Sequence, residues 1–289
     1  MPPLGLDLRF GLGSQRGGGI SLLPETKAYL AKITADGGTY TPAYANWINE
    51  FVKLLHVENT FDKAVGIWIL ANQTKEASFI NLFNPSVGTL GYIGSMAASG
   101  VFTQYEGWVG GSGMALTTGI DLRSNAKFNG DTASLGIYSR TNTGGSVIDI
   151  GHRAGTNTFS VLLSRTAAGN TQNSLTSSMR TGVAWDTPLT ANSSGLHMIN
   201  KTAATSIKSY RNNELYRTDS GLIKQTISTS APIYICAANY DGTLSFPSSR
   251  QISFAWIGGD LSDNQLTALN AAVDYLLSPA NPSGINKRV

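Results

Sequence analysis

The amino-acid sequence predicts a mostly β fold: an antiparallel two-sheet β-sandwich (jelly roll), with a small N-terminal helical subdomain and a C-terminal helix. Downstream of residue 88, short alternating segments are separated by Gly, Ser, Thr and Asn. No helical pattern intervenes between these segments, which favours antiparallel pairing. One strongly periodic helix precedes the series and another follows it.

At least eight strands are predicted from the alternation. Apolar residues alternate with small or polar ones over residues 133–138 and 159–163. Asn212-Asn213-Glu214 is predicted to form a tight hairpin turn, because Asn tolerates a positive φ. The remaining strands are predicted over residues 147–148, 196–199, 207–210, 222–227, 233–237 and 252–257.

Two helices are predicted before the strands. Pro24 suits the first turn of a helix that Asp36-Gly37-Gly38 ends. Thr41 is the expected N-cap of the next helix, with Pro42 at its first position. The apolar face of this helix consists of Trp47, Ile48, Phe51, Leu54 and Leu55. Residues 61–70 and 79–83 are predicted to form short helical turns and at most one strand.

The last helix has the clearest signals. Ser262 and Gln265 are spaced as a capping box. Pro279 and Pro282 end the helix. Its predicted apolar face consists of Leu266, Leu269, Val273, Leu276 and Leu277.

The chain is predicted to divide into four segments: 1–19, 20–87, 88–278 and 279–289. Residues 1–19 contain six glycines and are expected to be flexible alone, either as a frayed terminus or as an anchor that orders on a partner. The anchor interpretation is supported by five apolar residues at alternate positions: Leu4, Leu6, Leu8, Phe10 and Leu12. Residues 20–87 are the helical lead-in, 88–278 the sandwich with its closing helix, and 279–289 a polar tail.

Composition excludes several classes of protein. The 289 residues contain 21 Lys and Arg against 18 Asp and Glu, a formal charge of +3, which provides no general attraction to nucleic acid. The N-terminus does not resemble a signal peptide, and the longest apolar run, residues 64–71, is too short for membrane insertion. We therefore expect folding in a cytoplasm. The single cysteine, Cys236, lies in an apolar run and is expected to be a buried, inert thiol.

The search for catalytic motifs is negative. No His-Glu-x-x-His, Cys-x-x-Cys, phosphate-binding or nucleophile-elbow pattern is present. His56 is expected at a helix C-terminus, and His197 lies within a strand. Asp149, His152 and Arg153 are close in sequence, and a strand end with surface charges is the favoured interpretation over a site.

A sandwich glycosidase needs two facing carboxylates. The sequence contains six glutamates: Glu25, Glu50, Glu58, Glu76, Glu106 and Glu214. Only Glu58 has a second acid, Asp62, within four residues, and Asp62 lies in the predicted helical region. The chain is therefore expected not to be an enzyme, with no catalytic residue, cofactor or metal site.

Binding is better supported than catalysis. Exposed aromatic rings stack on sugars, although such rings also pack cores and subunit contacts. The candidate rings are Trp108, Trp185, Tyr138, Tyr210, Tyr216 and Tyr240. Loop acids such as Asp241 and Asp260 have chemistry suited to Ca²⁺, but no EF-hand-like spacing is present. The sequence does not identify which residues bind a ligand.

Residues 40–278 resemble a known family. Residues 133–141 (ASLGIYSRT), 233–243 (IYICAANYDGT) and 250–258 (RQISFAWIG) are similar to strands of concanavalin A-like, laminin-G-like jelly-roll domains in bacteriophage virion proteins. The helical stretch 47–70, with Asp62-Lys63, is similar to the lead-in often found before this domain. The plant-lectin metal cluster has no counterpart in the sequence.

The resemblance implies a phage structural protein on the virion, either a head decoration or head fibre or a tail component. Its partners would be other virion proteins, bound through residues 1–19, and further copies of itself in a homo-oligomer such as a trimer. Weak glycan adhesion is a secondary expectation. The alternatives are a free-standing or tail-tip lectin and, less favoured, a polysaccharide-degrading glycosidase.

Overall fold

Two β-sheets pack face to face, and helices cover the outer face of one of them. The computed structural model describes residues 21–123, 125–145, 147–154, 158–164, 172–177, 192–222 and 230–287. We call the sheet beneath the helices the helix-covered sheet and the other the outer sheet. The protein is therefore a mostly β, jelly-roll-type sandwich, as the sequence predicted.

The helices are α1 (Pro24–Ala35), α2 (Pro42–His56), α3 (Met96–Ser99) and α4 (Asp263–Leu277). The strands are β1 (Ala64–Ile69), β2 (Gly91–Gly94), β3 (Val101–Thr103), β4 (Gly107–Val109), β5 (Met114–Thr117), β6 (Ala133–Ser139), β7 (Ile150–Ala154), β8 (Thr158–Leu163), β9 (Gln172–Ser177), β10 (Gly195–Ala203), β11 (Ser206–Arg211), β12 (Glu214–Ser220), β13 (Tyr234–Ile235), β14 (Ala238–Tyr240), β15 (Thr243–Ser245) and β16 (Gln251–Gly258).

The helix-covered sheet has the strand order β12-β11-β10-β6-β16-β4-β3, with β1 also paired to β16. The outer sheet has the order β15-β14-β7-β13-β5-β2, with β8 on β7 and β9 on β8. The β14–β7 pair is parallel, and the other described pairs are antiparallel. Because the order is non-sequential, strands that are distant in the chain lie side by side, as β16 does with β1, β4 and β6.

Strand β16 shows why the helix-covered sheet needs a layer on each face. Phe254 and Trp256 pack on the helix side, whereas Ala255 and Ile257 face the outer sheet. Successive strand side chains point to opposite faces, so a strand buried on both sides is apolar at consecutive positions. The run Phe-Ala-Trp-Ile is therefore a consequence of the three-layer arrangement.

The helix caps are confirmed. Thr41 Oγ1 accepts a hydrogen bond from the Tyr44 amide at 3.1 Å. Ser262 and Gln265 form the reciprocal capping box of α4. Rings from α2 and β16 meet where Phe51 lies 6.2 Å from Phe254, so α2 and α4 close the core above this sheet.

Several elements differ from the sequence-based expectations. Residues 64–69 form strand β1, the one strand that the sequence allowed within the helical lead-in, and it pairs with β16. The expected strand 233–237 is interrupted at Cys236, whose φ of +67° divides it into β13 and β14. The four-residue helix α3 also lies within the region expected to be free of helices.

Asn212 and Asn213 form the predicted turn between β11 and β12, and both have a positive φ, of +48° and +66°. Most of the predicted strand 222–227 and the whole of segment 1–19 lie outside the described residues. No described helix is long and apolar enough to cross a membrane.

Candidate functional site

Three of the six candidate aromatic rings are core residues. Trp108, Tyr138 and Tyr210 are all buried. Tyr138 and Tyr210 pack under the helices, and Trp108 lies between the sheets. Tyr216 is half-buried on the edge strand β12, and Trp185 lies outside the described residues. The competing interpretation of core packing is therefore correct for these three rings.

Tyr240 is different because it lies at the end of β14 among exposed groups. The Arg153 guanidinium is 5.7 Å from the centre of its ring, and Arg153 Nε is 4.0 Å from Asp241 Oδ2. Phe246 contacts the Tyr240 ring edge-on at 5.5 Å and is 48% exposed. We call Arg153, Tyr240, Asp241 and Phe246 the Tyr240 patch. Partial burial raises the pKa of Tyr240, so its hydroxyl stays protonated near neutral pH.

Asp149 was expected to be a surface charge, and that expectation is wrong. Asp149 and Arg250 form a fully buried ion pair, with Arg250 Nη1 2.9 Å from Asp149 Oδ1. Ser164 and Ser248 donate hydroxyl hydrogen bonds to the carboxylate, both at 2.7 Å. Arg250 also donates to the Thr143 carbonyl oxygen at 2.8 Å. Both charged groups are thus hydrogen-bonded to other parts of the fold, which indicates a structural role.

The histidines do not converge on a site. His152 and His197 are both fully buried, so His152 is also not on the surface. Burial lowers the pKa of each to about 4, which keeps both imidazoles neutral near neutral pH. His197 Nε2 lies 3.1 Å from the Ser193 carbonyl oxygen, whereas neither nitrogen of His152 has a hydrogen-bond partner among the described residues. His56 ends α2, as expected, and lies 3.4 Å from Glu25.

Cys236 is buried, as expected. Burial raises the pKa of its thiol to about 12, so the thiolate is not available as a nucleophile near neutral pH. Among the six glutamates, Glu106 forms an ion pair in which Lys287 Nζ lies 2.9 Å from Glu106 Oε1. This hydrogen bond lowers the pKa of Glu106. Within the described ranges, no group of three or more His, Cys, Asp or Glu side chains is placed to hold a metal ion.

A cleft of about 450 Å³ opens where the start of β1 meets two loops. Asn81 fastens the first loop to β1, since its Oδ1 accepts from the Ile67 and Phe83 amides and its Nδ2 donates to the Val87 carbonyl oxygen. The second loop is anchored by the buried Ile120. Both walls of the cleft are therefore held by buried contacts.

The buried part of the lining is apolar, and the exposed part mixes polar groups with apolar ones such as Val87. The lining residues are Ala64, Val65, Phe83, Asn84, Val87, Gly119, Ile120, Asp121, Asn125, Ala126 and Lys127. A concave, mostly apolar surface with a few oriented polar groups is the usual form of a small-molecule site, and the volume falls within the roughly 300–1,000 Å³ range of such sites. Its volume and lining make the cleft the candidate small-molecule site among the described residues.

The two charged groups in the cleft already have partners. Arg123 binds Asp121 through Nε at 2.8 Å, and these hydrogen bonds lower the pKa of Asp121 to about 2. Lys127 Nζ donates to the Ala64 carbonyl oxygen at 3.1 Å and lies 4.7 Å from the centre of the Phe83 ring. Partial burial lowers the pKa of Lys127. Around neutral pH the lining thus contributes one negative and one positive charge.

Sequence reasoning identified part of the Tyr240 patch and missed the cleft. Tyr240 and Asp241 are adjacent in the chain, and Arg153 was noted as a charge. The cleft combines residues 64–65, 83–87, 119–121 and 125–127. Hydrogen bonds from the Ile67 amide to Asn81 and from Lys127 to the Ala64 carbonyl oxygen connect the two loops to β1. The Asn84-Pro85 turn was visible as an end to an apolar run, but nothing in the spacing related it to Lys127.

No protein-family model matches the chain, and no curated protein sequence matches it. Several solved structures are similar in fold. One is domain 4 of AbnA, a GH43 extracellular arabinanase from Geobacillus stearothermophilus, in complex with arabinotriose, with 13% identity over 72% of this chain and 98% of that chain and a TM-score of 0.48.

Two further similar structures cover less of their own chains. A mutant Trypanosoma rangeli sialidase with trans-sialidase activity shows 9% identity over 80% of this chain and 39% of that chain, with a TM-score of 0.47. The botulinum neurotoxin serotype D binding domain shows 13% identity over 75% and 52%, with a TM-score of 0.45. These are likenesses of the β-sandwich fold. The fold defines the class as a two-sheet β-sandwich with a helical layer over one sheet.

Proposed function

We propose that this protein is a non-enzymatic structural protein of a bacteriophage virion whose β-sandwich binds glycans. The observation that carries glycan binding is the cleft between the start of β1 and residues 83–87, 119–121 and 125–127. A pyranose has C–H groups on its faces and hydroxyls around its rim. The cleft offers the half-buried ring of Phe83 and the side chain of Val87 to the first, and Asn84, Asp121 and Asn125 to the second.

The virion part of the proposal is supported by the sequence resemblance. The three segments that carry it coincide with β6, with the stretch from β13 to β15, and with β16. In the proposal, residues 1–19 join the protein to other virion proteins, and the sandwich faces outward. The assembly is a homo-oligomer, with a trimer as the state to test first. Head and tail locations are both compatible with the proposal.

A free-standing or tail-tip lectin is the second candidate function, because the cleft would serve it equally well. A glycosidase has less support. Asp121 carries the only carboxylate among the described residues that line the cleft, whereas glycoside hydrolysis uses a pair. Replacing Asp121 by Asn is therefore expected to change glycan binding. Neither the unaltered protein nor this variant is expected to hydrolyse a glycan.

The first test is binding of the purified protein to a glycan array that includes arabinan, host surface and mucosal glycans. Saturable binding to at least one glycan, weakened by Ala126→Trp, which fills the cleft, supports the proposal. Phe246→Ala is the matched control at the Tyr240 patch. No binding anywhere on the array would exclude the glycan-binding part of the proposal.

The second test is labelled-antibody electron microscopy of purified particles. Label on the head supports a decoration or head fibre, and label on the tail tip supports host adhesion. Particles without label would contradict the virion assignment and leave the free-standing lectin.

A further inference from the structure

The hydrogen-bond acceptors around the cleft are already engaged by the protein. Both carboxylate oxygens of Asp121 accept hydrogen bonds from the Arg123 side chain, so a cation lies against this acidic lining residue. The carbonyl oxygens of Ala64, Val87 and Ala126 also accept hydrogen bonds from side chains of the protein. A ligand hydroxyl that donates to these oxygens therefore has to share them with a protein donor.

The polar donors of the lining are in the opposite condition. Asn84 Oδ1 and Asn125 Oδ1 each accept from backbone amides, which leaves the Nδ2 group of each side chain as a donor. Within the described part of the chain, neither Nδ2 group donates to another residue. The Lys127 ammonium has three N–H donors and uses one for the Ala64 carbonyl oxygen at 3.1 Å. The vacant polar groups of the cleft are therefore mainly donors.

The charge of Lys127 also lacks a close counter-ion. Its Nζ lies among the lining residues, 4.7 Å from the centre of the Phe83 ring, and both that ring and the carbonyl oxygen it binds are uncharged. Lys63 pairs with Asp260 instead, and Asp62 attracts Lys127 without forming an ion pair with it. Partial burial lowers the pKa of Lys127. An anion placed in the cleft would thus supply a counter-ion that the described residues do not.

We infer that the cleft selects acidic sugars, which carry a carboxylate, over the matched neutral sugars, with Lys127 as the residue that anchors the carboxylate. This inference rests on the proposed glycan binding and names the ligand class of the same cleft. One carboxylate oxygen accepts from Lys127, and the other accepts from the amide group of Asn84 or Asn125. Asp121 opposes the ligand charge little, because Arg123 compensates its own.

The test compares matched ligands that differ by one group. Methyl glucoside and methyl glucuronide, and the corresponding galactose pair, differ only in the substituent at C6. Affinity is measured by calorimetry and by saturation-transfer NMR. We expect the acidic member of at least one pair to bind about fivefold more tightly, the size of a partly exposed ion pair.

Two variants of Lys127 separate its charge from its hydrogen bonds. Lys127→Gln keeps an N–H donor and removes the charge, so the acidic ligand should lose its advantage of about fivefold while the neutral ligand changes little. Lys127→Arg keeps the charge and should retain the preference. A merely structural role of Lys127 would weaken both ligands alike in Lys127→Gln.

Two controls accompany these variants. Lys32→Met removes a lysine that pairs with Asp36 and does not line the cleft, so it should leave the preference unchanged. Added salt screens an ion pair. The advantage of the acidic ligand should therefore shrink as the salt concentration rises, whereas the affinity of the neutral ligand should hold.

The outcomes separate the inference from the proposed function. Equal or tighter binding of the neutral ligand, or an acidic preference that persists in Lys127→Gln, overturns the inference while glycan binding stands. An acidic preference that Ala126→Trp leaves intact also overturns it, because the ligand then binds outside the cleft. If no glycan binds at all, the proposed function fails and the inference fails with it.

Discussion

At the scale of single residues, Asp149 and Arg250 are the clearest case of a local pattern that misleads. In the sequence, Asp149 precedes a strand together with His152 and Arg153, as surface charges often do. In the structure, Arg250 comes from a segment 101 positions away and neutralises it out of contact with solvent. Burial of a charge depends on its partner, and the partner is distant in the chain.

Asp149→Leu is expected to destabilise the protein by about 3–5 kcal/mol, because it leaves a buried guanidinium without its counter-ion. The free energy of unfolding is measured by urea titration. The double variant Asp149→Leu, Arg250→Met should recover much of the loss. The exposed change Asp121→Asn serves as the control and should stay within about 0.5 kcal/mol of the unaltered protein. A loss below about 1 kcal/mol in Asp149→Leu would contradict a structural role.

The two buried histidines make stability depend on pH. Their folded-state pKa of about 4 lies below the ordinary value of 6.5. Between these values the unfolded chain binds protons that the folded chain does not. The free energy of unfolding is therefore highest above pH 6.5 and falls as pH decreases towards 4, by about 1.4 kcal/mol per pH unit for each histidine.

His152→Leu should reduce this slope by about half between pH 6.5 and 5, as measured by urea titrations at several pH values. Leu162→Ala, a buried change without a titrating group, is the control. It should lower stability equally at each pH. An unchanged slope in His152→Leu would show that His152 does not govern this pH dependence.

At the scale of elements, the sequence predicted the features that depend on neighbouring residues, such as helix caps and a turn. It did not predict the features that depend on contacts between distant segments. The caps at Thr41 and Ser262 and the Asn212-Asn213 turn are set by a side chain and backbone groups within about four positions. The break at Cys236 has no such local cause. There the Cys236 amide donates to Asp149 and its carbonyl accepts from Ser248, both distant in sequence.

The position of strand β1 also depends on a close contact between Gly66 and the ring of Trp68. A Cβ atom at Gly66 would lie 2.3 Å from the buried ring of Trp68. Trp68 Nε1 donates to the Gly88 carbonyl oxygen at 2.9 Å, next to the loop that forms one wall of the cleft. The absence of a side chain at Gly66 thus positions both the strand and the cleft.

Gly66→Ala is expected to destabilise the protein by about 1–3 kcal/mol, since the ring must move in a packed core. Tryptophan fluorescence and urea titration provide the measurements. Gly145→Ala is the matched control, because the added methyl group there has only ordinary contacts of 3.7 Å. Equal stability of the two variants would refute the close approach at Gly66.

At the scale of the whole molecule, the helices share one buried cluster with the helix-covered sheet, and a second cluster lies between the two sheets. Residues of α1, α2 and α4 and of strands β1, β6, β10, β11 and β16 belong to a single buried cluster. The lead-in predicted over residues 20–87 therefore contributes both a strand and a large part of the helical layer. We expect unfolding of these parts to be cooperative.

Deletion of residues 1–19 should leave a folded protein, since the described core begins after this segment. If the segment is the anchor, the truncated protein should no longer enter particles, as measured by immunoblotting of purified virions. Circular dichroism checks that the fold is retained. A truncated, folded protein that still enters particles would place the anchor elsewhere.

The sequence by itself determined the mostly β class, the positions of the long helices and their caps, and the buried character of Cys236. These features depend on periodicity and on contacts between near neighbours, which a single sequence records. The tertiary structure alone decided that Asp149 is buried, that β16 is the partner of β1, and that residues 64–65, 83–87, 119–121 and 125–127 line a cleft. Each of these depends on pairing between segments far apart in the chain, and sequence spacing contains no measure of that distance.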